Sequence, residues 1–119
     1  MARLSLLSRL TASTHHLDAA DLQADIEKLA CTPLDRLQRG ARVQVAGRLR
    51  AVVYTPSEHV PTLEAELFDG SDAIALLWLG RRRIAGIEPG RRLLVRGTVG
   101  DHAGHHAIYN PWYELLGAG

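Results

Sequence analysis

The sequence is poor in cysteine and contains no long apolar run. Cys31 is the single cysteine among the 119 residues, so neither an intramolecular disulfide nor a thiolate metal cluster can form within one chain. No stretch approaches the roughly eighteen uninterrupted apolar residues that a membrane-spanning helix requires. Ser5, Ser8 and Arg9 interrupt the first leucines before they reach the length of a signal-peptide core. We therefore expect a cytoplasmic protein with no membrane partner.

The chain is short, and its charge is unevenly distributed. A chain of 119 residues, 46% apolar and 23% charged, has the composition of one soluble globular domain. Its net charge is only +1, but residues 36–96 contain eleven arginines against six acidic residues. Arginine outnumbers lysine by thirteen to one, which fits either guanidinium-specific recognition or a GC-rich genome. The basic middle segment favours an anionic partner.

The first 38 residues are predicted to form a helical extension. From Asp18 to about Cys31, Leu22, Ile26 and Leu29 repeat at four and three residues, which is the spacing of one helical face. The first residue of this segment can cap the helix, and acidic side chains occupy its first turns. Pro33 ends the helix, because the residue before a proline is driven out of helical geometry.

Residues 39–116 change to a period of two, which indicates strands. Gly47 interrupts the first strand, where a closing barrel commonly bends, and Asp69-Gly70 predicts a hairpin between the second and third. The glycine-broken segment 80–90 predicts a loop or a single turn, and Asn110-Pro111 ends the last strand. The pattern predicts five strands, at about 43–53, 62–68, 72–79, 91–99 and 105–109.

Five short strands with an interruption after the third match the five-stranded Greek-key β-barrel called the OB-fold. Another small barrel, such as an SH3-like fold, shares the strand count and is the alternative. We therefore predict an all-β protein, with an OB-fold domain over residues 39–116 and an N-terminal α-helix within the extension at 1–38.

One histidine cluster resembles a metal site. His102, His105 and His106 lie in or beside the last predicted turn, next to Asp101. Histidines at such spacing can hold a divalent metal, but no cysteine or carboxylate has the ligand spacing that would complete the site. Glycine-rich turns also commonly carry polar residues that are only solvated or that contact phosphate. We expect no bound metal and no cofactor.

Two carboxylates on one predicted strand resemble a catalytic pair. Glu64 and Glu66 are two residues apart and share a strand face. Opposite charges on neighbouring strands usually pair, so we expect these glutamates to bind Arg48 or Arg50. No convergent set of nucleophile, base and orienting group is present. We expect the protein not to be an enzyme.

The arginines and aromatic rings predict a nucleic-acid-binding surface. Proteins that hold single strands combine a cationic groove for phosphates with rings on which bases stack. In an OB-fold the ligand crosses strands two and three, between the loops joining strands one to two and four to five. The predicted phosphate contacts are Arg48, Arg50, Arg81, Arg82, Arg83 and Arg96. The predicted contacts on that face and its loops are Tyr54, His59, Trp78, His102 and His105.

Several of these residues have a simpler structural interpretation. Trp78 lies in the most apolar strand and fits the core as well as a stacking platform. The run at 81–83 fits a solvated loop that keeps the protein soluble. Trp112 or Tyr113 is expected to seal the open end of the barrel.

Four motifs carry a family resemblance. They are LEAELFDGS at 63–71, WLGRRRIAGIEPG at 78–90, VRG at 95–97 and NPWYE at 110–114. Over residues 17–116 they resemble a family of short actinobacterial OB-fold nucleic-acid-binding-domain proteins. Their order is also similar to the wedge domain of RecG-type branched-DNA helicases, where His-Pro-x-Tyr-Glu takes the place of 110–114.

The resemblance implies recognition of single-stranded or branched DNA without catalysis, since no helicase motor lies within these residues. RNA is a further option for the ligand. The alternative function is a protein-protein interaction or oligomerisation module, in which the barrel face or the helix from Asp18 binds a partner or a second copy. Because the basic excess is modest, we expect weak, salt-sensitive binding.

Overall fold

The structure is a computed structural model that describes residues 30–117. Apart from a turn of 3-10 helix at Leu34–Arg36, its regular elements are β-strands, which confirms the prediction of an all-β fold. Within these residues no helix has the length and apolar character needed to cross a bilayer. The strands are β1 (Arg42–Thr55), β2 (Thr62–Phe68), β3 (Ala73–Leu79), β4 (Arg92–His102), β5 (His105–Tyr109) and β6 (Trp112–Leu116).

All five predicted strands are present, and segment 80–90 consists of turns and bends as predicted. The sixth strand, β6, is an addition to the prediction, because pairing resumes directly after Pro111. The predicted helix from Asp18 lies outside the described residues, except at its last two positions. Ala30 has a φ of 55° and Cys31 has no regular structure, so helical structure does not extend to Cys31.

The strand pairings form a ring. They run β1-β2-β3-β5-β4 and return to β1 through an additional β1–β4 pairing, while β6 is attached to β4. Every pairing is antiparallel except that between β3 and β5. The sheet therefore closes on itself in a barrel-like manner.

The long strand β1 serves two partners. Its residues 42–48 pair with β4, and its residues 48–55 pair with β2. The register with β2 shifts between Leu49 and Ala51, so the irregularity falls at Arg50, three residues after Gly47, where the sequence predicts a bulge or a bend. Gly47 has a different role, since a Cβ there would collide with the main-chain carbonyl of Phe68. The glycine lets β1 and β2 approach closely where the sheet bends.

The main core fills the inside of this ring. Leu34 and Leu37, which precede the first strand, are buried in the same cluster as the inward-facing residues of the strands. A fully buried leucine or valine contributes on the order of 1.5–3 kcal/mol to folding. The largest fully buried side chains are Leu34, Leu49, Leu67, Leu76, Leu93, Ile108, Val45, Val95 and Val99.

Asp69 anchors the connection between β2 and β3. It is 2% exposed, and its Oδ2 accepts a hydrogen bond from the Leu34 amide at 2.8 Å. Its Oδ1 accepts from the amides of Ser71 and Asp72 and from the Ser71 hydroxyl. Gly70 follows with a φ of 94°, which favours glycine. The predicted turn at Asp69-Gly70 is confirmed. Through its bond to the Leu34 amide, Asp69 also holds the segment that precedes β1.

Candidate nucleic-acid interface

Arg96 lies at the centre of a cross-strand row on the outer face of β1, β4 and β6. It is opposite Gln44 on β1 and opposite Trp112 on β6. Its Nε donates a hydrogen bond to Gln44 Oε1 at 2.8 Å, and its guanidinium carbon lies 4.5 Å from the centroid of the Trp112 ring. The hydrogen bond and the cation-π contact hold the guanidinium in one orientation.

A groove of about 600 Å³ adjoins this row. Two of its rings are substantially exposed, Tyr109 at 41% and Trp112 at 48%. No carboxylate from residues 30–117 lines it. We call it the Arg–Trp groove. Its lining residues are Arg42, Arg96, Gly97, Thr98, Tyr109, Asn110 and Trp112.

The turn between β5 and β6 brings the two rings to the same groove. Asn110 has a φ of 50°, a conformation that asparagine tolerates better than most residues. Its amide donates to the carbonyl of Leu77 at 2.6 Å, and its Oδ1 accepts from the amide of Leu79 at 2.9 Å. Asn110 therefore pins the turn to the end of β3, with Tyr109 before it and Trp112 after it.

The arginine loop at residues 81–83 begins beside the Arg–Trp groove. It follows Leu79, whose amide is bound by the groove residue Asn110. All three arginines are exposed, and the Arg82 guanidinium lies 5.6 Å from the centroid of the Tyr54 ring. Gly80 donates to the carbonyl of Pro61, which ties this loop to the one between β1 and β2. Asn110 thus links the start of the arginine loop to the Arg–Trp groove, which the three arginines themselves do not line.

The face of β2 and β3, where the ligand was expected, is acidic. Glu66 pairs with Arg50 at 3.1 Å, as predicted, whereas Glu64 lies 3.8 Å from His102 Nε2 in place of the predicted arginine. Arg50 also lies over the Phe68 ring, at 4.3 Å from its centroid. A groove of about 540 Å³ on this face, the Glu–His groove, is lined by Glu64, Glu66, Asp72, Ala73, Ile74, Ala75, His102, Ala103, His105 and His106.

Tyr109 stands between the two grooves. Its hydroxyl donates to the main-chain carbonyl of Asp101 at 3.1 Å. Its oxygen is also 3.1 Å from His102 Nδ1, which therefore donates to it. His102 belongs to the Glu–His groove, whereas the Tyr109 ring lines the Arg–Trp groove. These hydrogen bonds hold the ring in place while leaving it partly exposed.

The interpretation of Trp78 as a stacking platform is wrong. It is 5% exposed, its Nε1 donates to the carbonyl of Pro111 at 3.3 Å, and it makes an edge-to-face contact with Tyr113 at 5.9 Å. A ring so enclosed offers no surface to a base. Tyr113 packs against the core, whereas Trp112 projects outward.

The remaining predicted contacts do not converge on one site. Arg48 lies on the outer face of β1, directly opposite Arg92 on β4. His59 is exposed in the loop between β1 and β2, and His105 lies in the Glu–His groove. Within the described part of the chain, no three histidine, cysteine or carboxylate side chains are grouped as a metal would require.

Of the cations and rings that line the Arg–Trp groove, Arg42, Tyr109 and Trp112 are missing from the predicted contacts. Each is visible in the sequence as a cation or a ring. Their grouping depends on the pairing of β6 with β4, and β6 itself is not in the predicted strand set. A search for paired tryptophan and arginine across adjacent strands would have found the site only after that pairing was known.

The comparisons with known proteins give a fold relationship. No protein-family model matches the chain, and no curated protein matches it. Among solved structures, the chain is similar to RecG bound to a three-way DNA junction, with a TM-score of 0.63 and 24% sequence identity. The match covers 73% of this chain but only 13% of the RecG chain. The likeness shows that this chain shares the fold of a small part of that protein.

Proposed function

We propose that this chain is a non-catalytic nucleic-acid-binding module that holds single-stranded or branched DNA in the Arg–Trp groove. The observation that carries the proposal is the Arg96 guanidinium, oriented between Gln44 and an exposed Trp112 ring in a groove that Arg42 also lines. Single-strand-binding proteins use this combination of an oriented cation and an accessible ring.

The fold supports the proposal. The ring of pairings β1-β2-β3-β5-β4 is the arrangement expected of an OB-fold, and we propose that the sheet belongs to that class, with β6 as an addition. The similar RecG structure contains a three-way DNA junction. OB-folds commonly bind nucleic acid, and here Arg42, Arg96 and two exposed rings supply the contacts.

The charges on the two grooves set the path of the strand. Phosphates are drawn to Arg42 and Arg96, and further along to the exposed arginines at 81–83. Bases stack on Trp112 and Tyr109, whose rings are exposed beside the same arginines. Three carboxylates line the Glu–His groove, whereas none from residues 30–117 lines the Arg–Trp groove, so phosphates favour the Arg–Trp groove. The strand therefore runs over β4 and β6 and not across β2 and β3.

Fluorescence anisotropy with a labelled oligonucleotide tests the proposal. The full chain is titrated into a single-stranded oligonucleotide and into a forked duplex, at about 50 mM and about 200 mM salt, a range over which phosphate contacts weaken strongly. We expect binding at low salt that weakens at high salt. Arg96→Ala should reduce the affinity and lower the salt slope by about 0.7 on single strands.

Arg36→Ala is the matched control, because Arg36 is exposed and lines neither groove. It should leave the affinity for the oligonucleotide unchanged. Absence of binding at low salt, or equal loss in the Arg36 and Arg96 variants, would count against the proposal.

A further inference from the structure

The outer face of β1, β4 and β6 carries a second apolar cluster, separate from the main core. Ala46 on β1 and Leu94 on β4 are directly opposite one another and are buried, although they point away from the inside of the ring. The apolar side chains described against them are Cys31, Phe68 and Leu116. We call these five residues the outer patch. Side chains on the outside of a sheet are kept from water only where something lies over them.

The chain reaches this patch from its amino-terminal side. Thr32 donates a backbone hydrogen bond to the carbonyl of Gln44 on β1 at 2.9 Å. The side-chain amide of Gln44 lies 3.8 Å from Cys31 Sγ. Ala30, just before, has a φ of 55°, a conformation that commonly follows the end of a helix. The described part of the chain therefore begins at the edge of the outer patch.

The sequence before Ala30 has the pattern needed to cover such a patch. Leu22, Ile26 and Leu29 form one apolar stripe if the segment is helical. Asp18, Asp21 and Asp25 repeat at three and four residues as well. Asp21 and Asp25 come one residue before Leu22 and Ile26, and Asp18 lies about one helical turn before Asp21. In a helix the three carboxylates therefore form an acidic stripe along one side of the apolar stripe.

The outer patch is bordered by a complementary pair of cations. Arg48 on β1 and Arg92 on β4 are directly opposite one another, two residues along from Ala46 and Leu94. Carboxylates placed against this pair attract both guanidinium groups. An acidic stripe beside an apolar stripe thus matches an arginine pair beside an apolar patch.

We propose that residues 18–29 dock as an amphipathic helix across the outer face of β1, β4 and β6. The apolar stripe lies on the outer patch, and the acidic stripe faces Arg48 and Arg92. A helix of this length extends about 20 Å, which is enough to cross three strands spaced about 4.8 Å apart. The proposal does not depend on the proposed function.

Docking divides the outer face into two halves. The half with the outer patch and the pair Arg48 and Arg92 belongs to the helix. The half with Arg42, Arg96 and Trp112 remains available as the Arg–Trp groove. Arg48 then has a docking role in place of the nucleic-acid contact that the sequence predicts.

The single cysteine provides the test. Cys31 is half-buried at the patch, so the rate of its modification by N-ethylmaleimide, followed by mass spectrometry on the full chain, reports whether the helix is docked. Ile26→Asp places a charge in the apolar stripe and should raise the rate roughly tenfold. Ala24→Asp introduces the same charge on the opposite side of the helix and is the matched control, expected to react at the wild-type rate. Equal rates in all three proteins would overturn the proposal.

A second measurement separates undocking from unfolding of the sheet. Amide hydrogen exchange on the same proteins should show protection of residues 22–29 in the wild type and in Ala24→Asp, and loss of that protection in Ile26→Asp. The strands β1 to β5 should stay protected in all three. Lack of protection at 22–29 in the wild-type protein would overturn the proposal, as would equal loss of protection in the helix and the strands of Ile26→Asp.

Discussion

The Arg96 guanidinium carbon lies 4.5 Å from the centroid of the Trp112 ring, across adjacent strands β4 and β6. One face of the tryptophan is thereby covered by a cation, yet the residue remains 48% exposed. The pair is held from the other side by Gln44, which accepts from Arg96 Nε. Positive charge and ring surface are thus presented together in a groove that no carboxylate from the described part of the chain lines.

The two tryptophans of the chain should respond in opposite ways to truncation. Trp112→Ala removes an exposed stacking ring and should weaken oligonucleotide binding by about 1–3 kcal/mol per base stacked, with little change in stability. Trp78→Ala opens a cavity in the core and should lower the free energy of unfolding by about 3–5 kcal/mol. Urea unfolding and anisotropy on both variants check this, and an unchanged affinity in Trp112→Ala would contradict the role given to its ring.

The arginine loop should act through charge alone. Arg81→Ala and Arg83→Ala together should weaken binding and reduce the dependence of affinity on salt, because each lost phosphate contact on a single strand lowers the salt slope by about 0.7. All three loop arginines are exposed, so stability should change by less than about 0.5 kcal/mol. A salt titration by anisotropy measures the slope. A slope equal to that of the wild type would remove the loop from the interface.

Asp69 should be the most sensitive polar position in the described structure. Asp69→Ala leaves the Leu34 amide without its acceptor and removes the contacts that shape the turn after β2. Loss of a buried, charged acceptor should cost about 2–4 kcal/mol of unfolding free energy. Asp35→Ala, at an exposed position one residue away from Leu34, is the control and should cost less than about 0.5 kcal/mol. Similar losses in the two variants would show that Asp69 has no special role.

The pH dependence of stability should carry a contribution from Cys31. Burial raises the pKa of its thiol above its ordinary value, an effect that a hydrogen bond with Gln44 partly offsets. A raised pKa means that the folded protein holds the proton more tightly than the unfolded chain does. The resulting stabilisation is complete below the ordinary thiol pKa and is lost as the pH rises through the folded-state value.

Comparison with Cys31→Ser isolates this contribution, because serine does not ionise in the same range. As the pH rises above about 8.5, the wild type should lose stability relative to Cys31→Ser. Urea unfolding at a series of pH values measures this difference. A constant difference across that range would exclude the thiol as the cause.

The sequence predicted the strands well because each of the five has a regular period of two or a continuous apolar run. β2 and β5 have the predicted bounds, and β1 contains the predicted stretch. The sixth strand was hidden by Pro111, which ends β5 but does not prevent pairing from resuming at Trp112. A proline lacks one amide donor and interrupts a sheet only at its own position.

The interface was harder to predict, because it depends on which strands are neighbours. Tyr109 and Trp112 line the same groove because Asn110 between them has a left-handed backbone conformation. No periodicity in the sequence indicates that this turn places both rings on the same side of the sheet. Trp78 lies in a strand whose residues are almost all apolar, so its pattern does not distinguish the inside from the outside. The expected OB-fold ligand face turned out to carry Glu64 and Glu66, which only the observed register brings beside His102.

The indole signals of the two tryptophans provide the most direct test of the Arg–Trp groove. The chain contains only Trp78 and Trp112, so a ¹⁵N-correlated NMR spectrum shows each indole N–H separately, and Trp112→Phe assigns them. On titration with a single-stranded oligonucleotide at low salt, the Trp112 indole signal should shift progressively while that of Trp78 stays in place. A saturating titration that leaves Trp112 unmoved, or that shifts only residues of the Glu–His groove, would contradict the account.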